Sequence, residues 1–251
     1  MKKGGAKDSW ANLRIAVAGQ ETKILENELR KAGFVLDNER PNMVVSFGGD
    51  GAALAAEQLY PGVPRLMIRH DKVCNKCNAG AGHDFSGIFD KLKKGNYRVV
   101  EETKVEGAVE GDKHKRLVGL NEINVAHEFP IKAMRFDVSV NGKPLAENLI
   151  GDGVLVATPY GSTAYFHTIT GRKFSKGLGI AFNNVSQRTK PRTVGGDSTI
   201  RIKVNRGPAL MCADNSTTMI KLKDGDAVVV KKTREKARII ELSGEKRKIK
   251  V

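Results

Sequence analysis

A chain of 251 residues, 40% apolar and 28% charged, has the length and composition of a water-soluble globular protein of one large domain or two small ones. No apolar run approaches the roughly twenty residues of a membrane span, and the lysine-rich first seven residues lead into no signal-peptide apolar segment, so a cytoplasmic location is expected. The formal charge of +15 points to polyanionic partners, but with one Trp, four Tyr and no run interleaving basic and aromatic residues the nucleic-acid reading is disfavoured, and the basic clusters at 231–234 and 246–250 read as solvated faces.

In chain order, the first predicted element is a buried-type strand over 13–19, ending at Gly19. Leu25, Leu29 and Ala32 follow at helical spacing, with Gly33 as a C-cap, and 34–36 reads as a second short strand. Gly19-Gln20-Glu21 does not make a dinucleotide fingerprint. The stretch 43–57 then runs Met-Val-Val-Ser-Phe, breaks into Gly48-Gly49-Asp50-Gly51 and resumes as an alanine-rich segment. That is a strand, a tight glycine turn and a helix start. Such a turn lies at a strand's carboxyl end and a helix's amino end, where backbone amides and the helix dipole favour phosphate. Asp50 would repel a phosphate there unless a cation bridges them or the acid takes a proton from an attacking hydroxyl, so the loop suggests phosphoryl transfer. A plain hairpin or connecting turn is the competing reading.

The next strand opens near Arg65 and leads into an irregular polar loop. Cys74 and Cys77 have the spacing of half a zinc site, with His70 and His83 beside them; two reduced thiols or a redox pair are the alternatives. Cys212 reads as a buried small apolar residue. From about residue 96 the pattern changes to successive strands, at 97–101, 105–109, 117–120, 123–126, 134–140, 154–157, 200–204, 227–230 and 237–242. Turn signals recur at Asn141-Gly142 and at Asp224-Gly225, where a hairpin is predicted. The expectation is an α/β domain over 1–95, built as the start of a doubly wound fold, and an antiparallel β-sandwich over 96–251. The last strand is left free to return to the first domain.

Two places in this second half depart from ordinary strand and turn. At Asn121-Glu122 an amide and a carboxylate sit between apolar stretches, and strand alternation turns one of them toward the core unless a bulge or strand end intervenes. A solvated Glu at a strand end is the alternative. At 151–165 a strand ends in a loop dense with hydroxyls and small residues, suited to hydrogen-bonding a sugar or base edge, or forming an ST-turn into a helix capped by Ser162 or Thr163.

Taken together, Gly48-Gly49-Asp50-Gly51, Asn121-Glu122, and Gly151-Asp152-Gly153 followed by Thr158-Pro159 and 161–165 resemble, in order and rough spacing, the NAD kinase family. The resemblance extends over about residues 13–230. It implies an α/β domain and a β domain with the active site in the crevice between them. ATP, or in some members inorganic polyphosphate, phosphorylates the 2′-hydroxyl of the adenosine ribose of NAD to give NADP, with Mg2+ required and no protein metal site assigned. Carried over, Asp50 would be the base or positioning group, and Gly48, Gly49 and Gly51 would cradle phosphate. Asn121 and Glu122 would hold the ribose or adenine. Asp152, Thr163, Ala164 and Tyr165 would contact the nicotinamide and adenosine parts, partly across a subunit interface, and Asp214 would reach the nucleotide. The family's shared sites imply a homodimer or homotetramer.

The chain departs from the family pattern at Ala52, where Thr is usual, at Tyr160, at Asn215 and in the loop from Arg69 to Asn75. Arg69, His70 and Lys72 add positive charge where the family covers the NAD with glycines and Phe, which suits a more anionic acceptor or a different donor. Two alternatives follow: a nucleotide-binding regulatory protein that lost transfer, and a kinase with another acceptor, since diacylglycerol and sphingosine kinases also carry a Gly-Gly-Asp-Gly loop.

Overall fold

The first predicted strand forms as β1 (Arg14–Gly19), followed by α1 (Thr22–Lys31), which buries Leu25 and Leu29. In this computed structural model, which describes residues 10, 12–19, 21–69 and 85–244, α1 stops as the sequence anticipates. Gly33 takes φ +85°, and the Phe34 and Gly33 N–H groups donate to the Leu29 and Arg30 carbonyls. That is the paired-bond ending a left-handed glycine permits.

β2 (Val35–Leu36), β3 (Met43–Gly48), α2 (Asp50–Leu59), β4 (Arg65–Arg69) and α3 (Ser86–Lys93) complete this part. The strands are parallel in the order β2-β1-β3-β4. Every residue of β3 is buried, as a strand covered on both faces requires. Met43, Val45 and Phe47 join Leu25, Leu29, Phe85 and Phe89 in one cluster, while Val44 packs with Ala16, Ala18 and Ala56 of α2 in another. Helices therefore cover both faces, the doubly wound arrangement.

Below α2 lies a buried ion pair. Arg65, 1% exposed, donates through Nη2 to Oε2 of Glu57, 3% exposed, whose Oε1 accepts from the Gly62 N–H at 3.2 Å. Arg65→Met alone removes the guanidinium that neutralises a buried carboxylate, an expected cost of about 3–5 kcal/mol. In urea denaturation its midpoint is expected to fall well below that of the double variant Glu57→Leu/Arg65→Met.

The chain divides into two units, one of residues 1–102 with 237–250 and one of 103–236. β5 (Tyr97–Val109) runs through the first crossing as one strand where the sequence suggests two. The second unit continues with β6 (Asp112–Gly119), β7 (Glu122–His127), β8 (Met134–Val140), β9 (Lys143–Gly151) and β10 (Gly153–Ala157). A 3-10 turn (Gly161–Thr163) and α4 (Tyr165–Thr170) follow. Then come β11 (Leu178–Asn183), β12 (Arg192–Val194), β13 (Ile200–Arg206), β14 (Ala209–Ala213), β15 (Met219–Leu222) and β16 (Ala227–Leu242). β16 also merges two predicted strands: 227–230 pair antiparallel with β13, while Ile239 pairs with Arg65 of the first unit.

In the second unit one antiparallel sheet has the order β12-β11-β10-β7-β14-β15, and β16, β13, β8 and β9 form antiparallel pairs in another. Their inner faces share a core that includes Ile123, Val125, Val154, Val156 and Met211 from the first sheet and Phe136, Val138, Ile202 and Val204 from the second. This is the predicted sandwich. The turn predicted at Asn141 and Gly142, at φ 51° and 78°, forms as a two-residue hairpin between β8 and β9.

The hairpin predicted at Asp224-Gly225 does not form. β15 before it pairs with β14, whereas β16 after it pairs with β13, so the turn passes between sheets. It is tied instead to the end of β13: Gly225 N–H donates to the Val204 carbonyl, and Asp224 Oδ1 accepts from Gly207 N–H at 2.7 Å. Cys212 is half-buried, because alternation along β14 sends Met211 and Ala213 into the core and Cys212 to the other face. Desolvation raises its thiol pKa above the ordinary value. Among the described residues no helix is long and apolar enough to cross a membrane.

Candidate functional site

In the first unit, β3 ends at Gly48 with φ +146°, Gly49 is the extended N-cap at φ −97°, ψ −162°, and Asp50 opens α2. A Cβ on Gly48 would come within 2.8 Å of the Ala52 Cβ, so the first helical turn packs where a side chain would stand. Since β3 and β4 are parallel with α2 between them, the hairpin reading is excluded. The first amides of a helix lie outside its own hydrogen-bond ladder, and α2 begins at Asp50 directly after the carboxyl end of β3. Asp50 is the acidic residue of that first turn.

In the second unit the Asn121-Glu122 pair is buried, at 4% and 7% exposure, which overturns the solvated-strand-end alternative. The physical reason is a carboxylate clasp. Asp214 Oδ2 accepts from Leu120 N–H at 2.7 Å, and Oδ1 accepts from Asn121 N–H at 2.7 Å and Glu122 N–H at 3.1 Å. Asp214 sits at φ 50°, a left-handed conformation that Asp and Asn tolerate better than most residues. The other side of the segment is held by Thr158, whose Oγ1 donates to the Leu120 carbonyl at 2.7 Å and accepts from Gly161 N–H at 3.0 Å. Thr158 N–H donates to the Asn121 carbonyl at 2.8 Å. Gly161 lies so close to the Asn121 backbone that a Cβ would collide with it.

Neither Ser162 nor Thr163 caps α4: its N-cap is Ala164, without a side-chain bond, and Ser162 Oγ donates to the Pro159 carbonyl at 2.8 Å. Tyr165 begins α4, and its hydroxyl accepts from Asn183 Nδ2 at 3.0 Å. Asp152 Oδ2 accepts from Asn184 Nδ2 at 3.1 Å. So Asn121, Glu122 and Asp214 form one cluster, and Asp152 and Tyr165 are both tied to the end of β11. Thr158, Asn183 and Asn184 were not among the sequence-derived site residues. Thr158 stood in the recognised stretch, but nothing local marks the two asparagines beyond Asn184 at φ 46°.

Cys74, Cys77, His70 and His83, with the altered loop after Arg69, lie outside the described residues. Among the described residues no group of three or more His, Cys, Asp or Glu is placed to hold a metal ion.

The chain matches the model of the ATP-NAD kinase C-terminal domain over residues 120–242. It is 29% identical to a bifunctional NADP phosphatase/NAD kinase of Methanococcus maripaludis over 85% of this chain, and spans 39% of that protein's length. It is 30% identical to an NAD kinase of Thermoplasma volcanium over 79% of this chain and 73% of that protein. A crystal structure of yeast NADH kinase complexed with NADH has the same fold, with a TM-score of 0.79 at 16% identity, covering 92% of this chain and 84% of that one. On the shared length with the Thermoplasma protein and the matching domain model, this chain belongs to the NAD kinase family.

Proposed function

We propose that this chain phosphorylates the 2′-hydroxyl of the adenosine ribose of NAD, with ATP as donor. The observation that carries the reading is Asp50, a carboxylate in the first turn of α2 directly after the Gly48-Gly49 turn at the end of β3. A ribose hydroxyl is a poor nucleophile, and phosphoryl transfer depends mainly on alignment and charge neutralisation. In the proposed step the hydroxyl oxygen bonds to the terminal phosphorus of ATP, the bond to the bridging oxygen breaks, ADP leaves and Asp50 takes the proton. Gly48, Gly49 and Gly51 would receive phosphate. Asn121 and Glu122 would hold the ribose or adenine, and Asp152, Thr163, Ala164 and Tyr165 the rest of the dinucleotide. The first unit is thus the donor domain and the second the acceptor domain.

The residues fit a Mg2+ ion carried by the nucleotide rather than held in a protein cage. The donor set at the glycine turn is one carboxylate, and Mg2+ usually keeps several waters and binds through one or two carboxylates and substrate phosphates. When bound, it would neutralise phosphate charge. The same reading carries a cytoplasmic location and a homodimer or homotetramer, the latter checked by light scattering.

Purified protein with ATP, Mg2+ and either NAD or NADH, read by a dehydrogenase that uses only the phosphorylated product, is expected to give turnover. Ala52, which lacks the hydroxyl common in the family, favours a second reading as a nucleotide binder without transfer. Thermal stabilisation by NAD with no product in the assay would select that reading.

A further inference from the structure

We propose that Asn124 is a ligand-binding residue, whose side-chain carbonyl accepts a hydrogen bond from an exocyclic amino group of the bound dinucleotide. This rests on the proposed use of the Asn121-Glu122 segment as a dinucleotide site. Alternation along β7 sends Ile123 and Val125 into the sandwich core and sets Glu122, Asn124 and Ala126 on the opposite face. In register, Asn124 stands between Leu155 of β10 and Cys212 of β14. Leu155 is fully buried in a cluster with Phe166 of α4, and Cys212 is half-buried.

In that apolar setting the Asn124 Oδ1 is buried and accepts no hydrogen bond. An orphaned buried acceptor is destabilising, because it gives up its bond to water and gains none in the fold. A β-branched apolar residue would fill the same strand position without that cost. A strand residue that is unfavourable for folding and lies on the face of a binding segment is the pattern expected of a functional position.

The surroundings suit a flat polar group. One row further along the face, Gly153 pairs with Ala126 on one side and with Asn183 on the other, and Asn183 donates to the Tyr165 hydroxyl. Glu122 lies about 7 Å back along the strand, the repeat of two strand residues. The free group on Asn124 is an acceptor, so the ligand supplies the donor. NAD carries two exocyclic amino groups, the adenine amine and the nicotinamide carboxamide, and the chemistry at Asn124 is the same for both.

The test uses the whole chain with Asn124→Val, and Asn124→Thr should the first fail to fold. The apo melting temperature is expected to hold or rise, since the orphaned oxygen is gone, while the KM for NAD rises about tenfold, the loss of one hydrogen bond. Two analogues identify the donor: nicotinamide hypoxanthine dinucleotide lacks the adenine amine, and nicotinic acid adenine dinucleotide lacks the carboxamide. The analogue missing the recognised group is expected to bind wild type about tenfold more weakly and to be indifferent to the substitution. An unchanged KM for NAD overturns the proposal, as does equal sensitivity of both analogues and NAD to Asn124→Val. Should wild type give no turnover, the proposed activity fails. Calorimetric titration of NAD and the analogues then reads the same comparison as dissociation constants.

Discussion

Asp50→Asn is expected to lower turnover by about 10²–10⁴-fold, the usual worth of a positioned proton acceptor, while the dissociation constants for ATP and NAD change little. The substitution is nearly isosteric, so the Gly48-Gly49 turn and the start of α2 are expected to persist in circular dichroism and in thermal stability. A competing account gives Asp50 only the electrostatic role that any acid plays in the first turn of a helix. That role is worth about 0.3–1 kcal/mol of stability and nothing in turnover. The two accounts therefore predict opposite patterns: kinetic loss with a near-native melting curve, or a slightly lower melting temperature with turnover intact. The result would also bear on Ala52. If a family hydroxyl at that position assists phosphate, Ala52→Thr is the variant in which the KM for ATP falls, and it should do so only in a background where Asp50 is intact.

The first-unit turn was legible because its signal is local. A continuous apolar strand, three glycines around one acid, and an alanine-rich start specify β3, the turn and α2 within fifteen residues, and the parallel pairing of β3 with β4 follows from the helix between them. The sandwich was legible as a class but not strand by strand. β5 and β16 read as broken because charged residues such as Lys231, Lys232 and Arg234 interrupt their apolar runs, yet the two strands pair with each other, and ladder hydrogen bonds sustain an extended segment whose adjacent side chains are exposed on both faces. β11 carries a glycine in its interior, which weakens its strand signal; Gly179 is required there by the Phe166 and Phe174 rings, since a Cβ would lie 2.7 Å from Phe166. β9 offers only weak alternation and β14 is a short strand after a proline, and register with their neighbours rather than local pattern defines them. The same distinction separates the site residues. Asn121 and Glu122 were visible as polar intruders in an apolar stretch. The contact that organises them joins positions 92 to 94 residues apart, and no spacing rule reaches that far.

That long-range contact carries the second large effect. Asp214→Asn is expected to raise the KM for NAD by about ten- to a hundredfold and to lower the melting temperature, with the KM for ATP nearly unchanged. The substitution isolates the carboxylate, because Asn accepts the left-handed backbone at φ 50° as readily as Asp does. In the native arrangement both oxygens are used: Oδ2 receives the Leu120 N–H, and Oδ1 receives those of Asn121 and Glu122. An amide cannot reproduce this. With its oxygen on the Asn121 and Glu122 side, its NH2 faces the Leu120 N–H, donor against donor; flipped, it faces the other two. At least one partly buried amide is left unpaired and the charge that strengthens the remaining bonds is lost, a cost of about 1.5–3 kcal/mol. Thr158 still holds the Leu120 and Asn121 carbonyls, so the segment is expected to loosen rather than unfold. If Asp214 also meets the nucleotide directly, the KM for NAD would rise by more than the fall in apo stability accounts for, since a ligand contact is lost on top of the backbone bond. Measuring both quantities on one preparation distinguishes a residue that only shapes the segment from one that also touches the ligand.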